Sequence, residues 1–145
     1  MKLFLPLLIV GLISCAIACN IIVHVKSATA TKFSAQVTTP NGQKSTKWTF
    51  TKSAARETFQ QRADTCGVGD WHVTTYDASG KQVADVLVAL NGIGRVDYEV
   101  GNDLKPVQTY RQGAICNGQC APLGLPKPPS SRPASPVNSG NDTVV

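Results

Sequence analysis

From residue 20 to residue 111, apolar and polar residues alternate in run after run, and this period of two most restricts what the chain can fold into. NIIVHVK (20–26) sets Ile21, Val23 and Val25 against Ile22, His24 and Lys26. KFSAQVTT (32–39) sets Phe33, Ala35 and Val37 against Lys32, Ser34 and Gln36, and KSTKWTFTK (44–52) sets Trp48 and Phe50 against Lys47, Thr49 and Thr51. Successive side chains on a strand point to opposite faces, so each run reads as a strand with one buried side. Pro40-Asn41-Gly42 lies between the second run and the third, where Asn-Gly supplies the positive φ angles of a tight hairpin turn. The pattern continues through 71–77, 81–90, 95–100 and 104–111, with turn residues at 78–80, 91–94 and 101–103. Three successive hairpins are expected there, with Pro106 marking an edge strand. SAARETFQQR (53–62) fits either a helix capped by Ser53 or a short strand, the strand being preferred. Some seven or eight short strands with regular turns predict an all-β fold, an antiparallel β-sandwich of Ig-like architecture.

The two ends differ from this middle. Met1-Lys2, the apolar run LFLPLLIVGLI and the small-residue pattern Ala16-Ile17-Ala18 have the order of a cleaved secretory signal, expected to span residues 1–18. The apolar run is shorter than the roughly 20 residues a membrane-spanning helix needs. Leu12-Ile13-Ser14-Cys15 reads like a lipobox, but an apolar segment follows where a polar tether would be expected. Residues 121–145 hold six prolines between 122 and 136 and almost no large apolar side chain after Leu125. Such a segment is expected to form a disordered Pro/Ser-rich tail, and residues 19–120 carry the domain. Pro126-Lys127-Pro128-Pro129 and Thr143-Val144-Val145 match SH3 and PDZ ligands, whose partner domains are mainly cytosolic. Asn141 opens the only N-glycosylation sequon, Asn141-Asp142-Thr143.

Removal of the leader leaves Cys19, Cys66, Cys116 and Cys120. An even count in an exported chain favours two disulfides, with three possible pairings. Cys19–Cys66 with Cys116–Cys120 is preferred because Asn117-Gly118-Gln119 can turn tightly. Counting eight strands alternately up and down puts all four cysteines at one end of the sandwich. A zinc site built from Cys116, Cys120, His24 and His72 fits no common ligand spacing.

The stretch GDWHVTTYDASGKQV resembles the strand–turn–strand hairpins of extracellular Ig-like and macroglobulin-like modules. Residues 1–120, with leader and single domain, resemble small secreted proteins encoded in nematode genomes. These resemblances imply a β-sandwich outside the cell and carry no functional residue across. The Cys–Trp–Cys spacing of antibody domains is absent, because Trp48 precedes Cys66 with no suitable cysteine upstream. An Ig-like architecture is therefore expected without a true immunoglobulin domain.

Charge is divided along the chain. From Lys26 to Arg62 there are seven basic residues (Lys26, Lys32, Lys44, Lys47, Lys52, Arg56, Arg62) against Glu57 alone. From Asp64 to Asp103 seven acidic residues (64, 70, 77, 85, 97, 99, 103) face only Lys81 and Arg95. Pairing of opposite charges across adjacent strands is the ordinary explanation. The alternative is a basic surface for polyanions, with Lys32, Lys44, Lys47 and Lys52 clustered around the Asn41-Gly42 turn. Nucleic acid is disfavoured by export and by the lack of basic motifs interleaved with aromatics. Nothing resembles a nucleotide loop or a hydrolase motif, and the only neutral-pH bases are His24 and His72. The leading expectation is an exported binding module, a defence or host-facing protein with an extracellular protein or glycan as partner. It needs no cofactor or catalytic residue, and it does not insert in a membrane once the leader is removed. A polyanion, glycan or lipid carrier using residues 26–62 is the alternative, and a hydrolase is the third reading.

Overall fold

The computed structural model describes residues 18–124, so residues 1–17, read above as part of a leader, and residues 125–145, read as a tail and including Asn141, lie outside the described residues. The described chain is all-β. Its strands are β1 (Cys19–Ser27), β2 (Phe33–Thr38), β3 (Trp48–Phe50), β4 (Arg56–Ala63), β5 (Trp71–Tyr76), β6 (Gln82–Asn91), β7 (Ile93–Val100), β8 (Pro106–Gln112) and β9 (Ile115–Gly118). They form a four-stranded sheet of order β4-β1-β7-β8 and a five-stranded sheet of order β3-β2-β5-β6-β9. The alternation along β1 buries Cys19, Ile21, Val23, Val25 and Ser27 and turns Ile22, His24 and Lys26 outward. Opposite them, β2 and β5 bury Phe33, Ala35, Val37, Trp71 and Val73, and the two inner faces close on one core. Phe33 and Phe50 stack across β2 and β3 at 4.7 Å between ring centroids. The stretch 53–62, ambiguous between helix and strand, is mostly strand, because β4 pairs antiparallel with β1 from Arg56–Lys26 to Ala63–Cys19.

Three details depart from the sequence reading. The Asn91-Gly92 turn is not a hairpin: Gly92 alone separates β6 from β7, and a hairpin needs about two loop residues. With φ at +83°, Gly92 turns the chain across to the other sheet, where β7 lies parallel to β1. Next, the third run shortens to Trp48–Phe50. The Ser45 hydroxyl accepts the Val37 N–H at 2.9 Å and so replaces a backbone partner; Lys44 keeps only an isolated bridge to Thr38. Last, a ninth strand, β9, pairs with β6 from Val88–Gly118 to Asn91–Ile115.

The disulfides join Cys19 to Cys66 and Cys116 to Cys120. The first lies where β1 starts, Cys66 approaching the Gly92 carbonyl; the second begins close by, Cys116 opposite Leu90, and β9 then carries the chain back along β6 so that Cys120 falls beside Gln108. The domain also continues beyond residue 120. Ala121 is buried and donates its N–H to Gln108 Oε1 at 2.8 Å, and Arg111 Nε reaches the Ala121 carbonyl at 3.0 Å. Gly124 packs against the Tyr110 ring, where a Cβ would lie 2.3 Å from a ring carbon.

Candidate functional site

Antiparallel pairing turns the basic half of the sequence into a corner of the sandwich. β1 ends at Ser27 and β2 starts at Phe33; β3 ends at Phe50 and β4 starts at Arg56, all at the same end. Hydrogen bonds from Ala54 N–H to the Ser27 carbonyl and from Ser27 N–H to the Ala55 carbonyl, each 2.8 Å, tie the β3–β4 loop to the end of β1. Lys26, Lys32, Lys52 and Arg56 lie at or beside these strand ends, and Lys26 lies directly across from Arg56 in the β1–β4 register. All four are exposed.

Of the four lysines expected around the Asn41-Gly42 turn, Lys32 and Lys52 both lie at this end, but Lys44 bridges Thr38 at the opposite end of β2. Six strand positions separate Lys32 from Thr38, roughly 20 Å. Lys47 instead lies over the Tyr76 ring, 3.5 Å from its centroid, on the outer face of the five-stranded sheet. Lys26 and Arg56 were counted in the basic half without being placed at a site. Their juxtaposition rests on a strand pairing 30 positions apart in sequence (26 to 56), which no local pattern encodes.

The ordinary explanation of the charge division is cross-strand pairing; Lys26 does lie across from Glu99 in the β1–β7 register, but no side chain of the basic half closes an ion pair among the described residues. Among the described residues the salt bridges are His72–Asp85 and Arg95–Asp97, so none of the seven basic side chains from Lys26 to Arg62 is held by a carboxylate. Lys26 thus stands between a like charge, Arg56 on β4, and an opposite one, Glu99 on β7.

Beside the corner, the outer face of the four-stranded sheet holds a cleft of about 280 Å³ lined by His24, Lys26, Arg56, Asp97, Glu99 and Thr109. His24 Nδ1 and the Thr58 hydroxyl are 2.7 Å apart. Partial burial holds the His24 imidazole below its usual range; Asp97 opposes that effect, and Arg56 and Arg95 add to it. Arg95 Nε lies 3.1 Å from Asp97 Oδ1, and its guanidinium also sits over the Tyr110 ring. A second groove, about 400 Å³ and open to solvent, runs along Asn20, Ile22, Ile93, Arg95 and Gln112.

His72 does have a carboxylate partner. Its Nδ1 lies 2.8 Å from Asp85 Oδ2, and the Thr74 hydroxyl donates to the other Asp85 oxygen at 2.9 Å. This group stands on the open outer face of the five-stranded sheet, and its hydrogen bonds reach no serine or cysteine. His24 and His72 occupy opposite outer faces, while Cys116 and Cys120 are joined to each other, so the four residues of the zinc reading are not brought together.

The fold defines the class: a two-sheet β-sandwich with two disulfides, suited to an oxidising compartment. Its strand order, with β1 and β7 parallel, is not that of an immunoglobulin domain. No helix among the described residues is long and apolar enough to cross a membrane. Compared with known proteins, the chain matches no protein-family model and no curated protein.

Proposed function

We propose that this chain is an exported binding module that recognises an extended anionic partner, a sulfated or carboxylated glycan, through the corner formed by Lys26, Lys32, Lys52 and Arg56. One observation carries the reading: the basic half of the domain is exposed and makes no ion pair with a carboxylate of the described chain. Side chains that stabilise the fold through charge would be paired, and side chains that merely keep it soluble would have their signs interspersed. The leader read at residues 1–18 and the two disulfides support an extracellular setting, where anionic glycans are abundant. A role in defence or at a host surface is compatible with this chemistry. Catalysis is not part of the proposal: His24 is held by the Thr58 hydroxyl and His72 by Asp85, and neither network reaches a serine or cysteine.

The test is binding of the oxidised domain to immobilised heparin at low salt. Neutralising two corner cations (Lys26→Gln with Arg56→Gln) should weaken binding more than tenfold. Neutralising Lys44 and Lys47 should weaken it by less than threefold. Equal losses from the two sets would mean that net charge, not this corner, does the binding.

A further inference from the structure

We propose that the cleft between β4, β1 and β7 seats one sulfate group of the anionic glycan, and that His24 takes up a proton as that group enters. This rests on the glycan-binding reading and assigns it a subsite. The cleft adjoins the corner, because Lys26 and Arg56 belong to both.

The groups facing His24 come from three strands. Lys26 follows on β1; Arg56 and Thr58 lie on β4; Arg95, Asp97 and Glu99 lie on β7. The fixed charges are therefore three cations (Lys26, Arg56, Arg95) and two carboxylates (Asp97, Glu99), and one of those carboxylates, Asp97, is already held by Arg95. Arg95 is a neighbour of His24 but does not line the cleft, so with His24 neutral the lining itself is balanced, Lys26 and Arg56 against Asp97 and Glu99, and protonation of His24 gives it a net positive charge. The side chain is placed to act, since Thr58 fixes Nδ1 and the cleft is lined by the same imidazole.

Burial and the neighbouring guanidiniums keep His24 neutral near pH 7. A sulfate placed beside Lys26 and Arg56 offsets those cations and favours imidazolium, which can then donate a hydrogen bond to it. By linkage, the rise in the His24 titration midpoint sets the upper limit of the gain in affinity on acidification, approached only well below both midpoints, so that a rise of about 0.5 pH unit allows at most about a threefold gain. The sign is fixed: affinity increases as pH falls.

The chain has two histidines, and His72 on the opposite face serves as an internal reference. The experiment follows the Cε1–H resonances of both rings by NMR from pH 4.5 to 8, alone and with a heparin oligosaccharide at saturation. Heparin affinity is measured in parallel at pH 5.0 and 7.5. The expected result is a His24 midpoint raised by at least 0.5 unit, a His72 midpoint raised by much less, and about twofold or more tighter binding at pH 5.0. His24→Gln should lose the gain on acidification, binding heparin less than about 1.5-fold more tightly at pH 5.0 than at pH 7.5. Inorganic sulfate at the same sulfate concentration should leave the His24 midpoint in place. Heparin that binds at pH 7.5 without moving His24 more than His72 would overturn the subsite and leave the corner standing. No heparin binding at either pH would overturn both, and an equal rise with inorganic sulfate would overturn the assignment to a glycan-borne group.

Discussion

Cys19→Ala with Cys66→Ala should destabilise the domain about twice as much as Cys116→Ala with Cys120→Ala. The first bridge closes a sequence separation of 47 residues and the second a separation of 4. Loop-closure entropy in the unfolded chain then gives about 4 kcal/mol for the first and about 2 kcal/mol for the second. Packing adds to the difference, because Cys19 and Cys66 are 0% and 3% exposed within the core whereas Cys116 and Cys120 pack at its margin. The gap between the two variants should therefore be at least about 2 kcal/mol, or roughly 8–16 °C in melting temperature for a domain of this size. Guanidinium unfolding by circular dichroism measures it, provided that the dependence on denaturant is similar in both variants. Equal costs, or a larger cost for the Cys116–Cys120 pair, would refute the reasoning. The short bridge would then brace the β9 end of the five-stranded sheet more strongly than loop size and burial allow.

Two further outcomes follow from buried polar groups. Gln61 is 0% exposed and neither atom of its amide has a partner among the described residues, so Gln61→Met should raise stability by about 1–3 kcal/mol in the same assay. An unchanged or lower midpoint would show that the amide is satisfied. Burial pushes the Tyr98 hydroxyl up to about 12, against the opposing hydrogen bond from Gln108. A folded value above the unfolded one means that this contribution is whole below pH 10 and is lost between pH 10 and about 12; it is worth roughly 3 kcal/mol. Tyr98→Phe should accordingly lose less stability than the wild type over that range, as read by denaturant midpoints at pH 9, 10 and 11.

What was legible in the sequence was local. The alternation in Cys19–Ser27 and Trp71–Tyr76 gave both the strands and their buried faces, because a two-residue period is carried by neighbouring positions. Asn41-Gly42 and Ser79-Gly80 turned as expected, with positive φ at both glycines. What failed depended on long-range choices. Asn91-Gly92-Ile93 has the composition of a hairpin turn, and only the pairing of β7 with β1, from Asn20–Ile93 onward, decides that the chain changes sheet. β9 is too short and too exposed to leave a pattern, its burial being intermediate at Cys116 alone. The candidate site divides in the same way. Lys32 and Lys52 were named from proximity in sequence to a turn, whereas Lys26, Arg56 and His24 join them through the register between β1 and β4.

The central claim is that recognition is carried by unpaired positive charge at the corner, and the salt dependence of binding tests it most directly. Affinity for a heparin oligosaccharide would be measured by titration calorimetry at pH 7.5 from 50 to 300 mM NaCl, for the wild-type domain and for Lys26→Gln with Arg56→Gln. Release of counterions at about four contacts should make the logarithm of affinity fall with the logarithm of salt at a slope of about −3, easing to about −1.5 in the double variant. A slope near zero, or one that the double variant leaves unchanged, would contradict it.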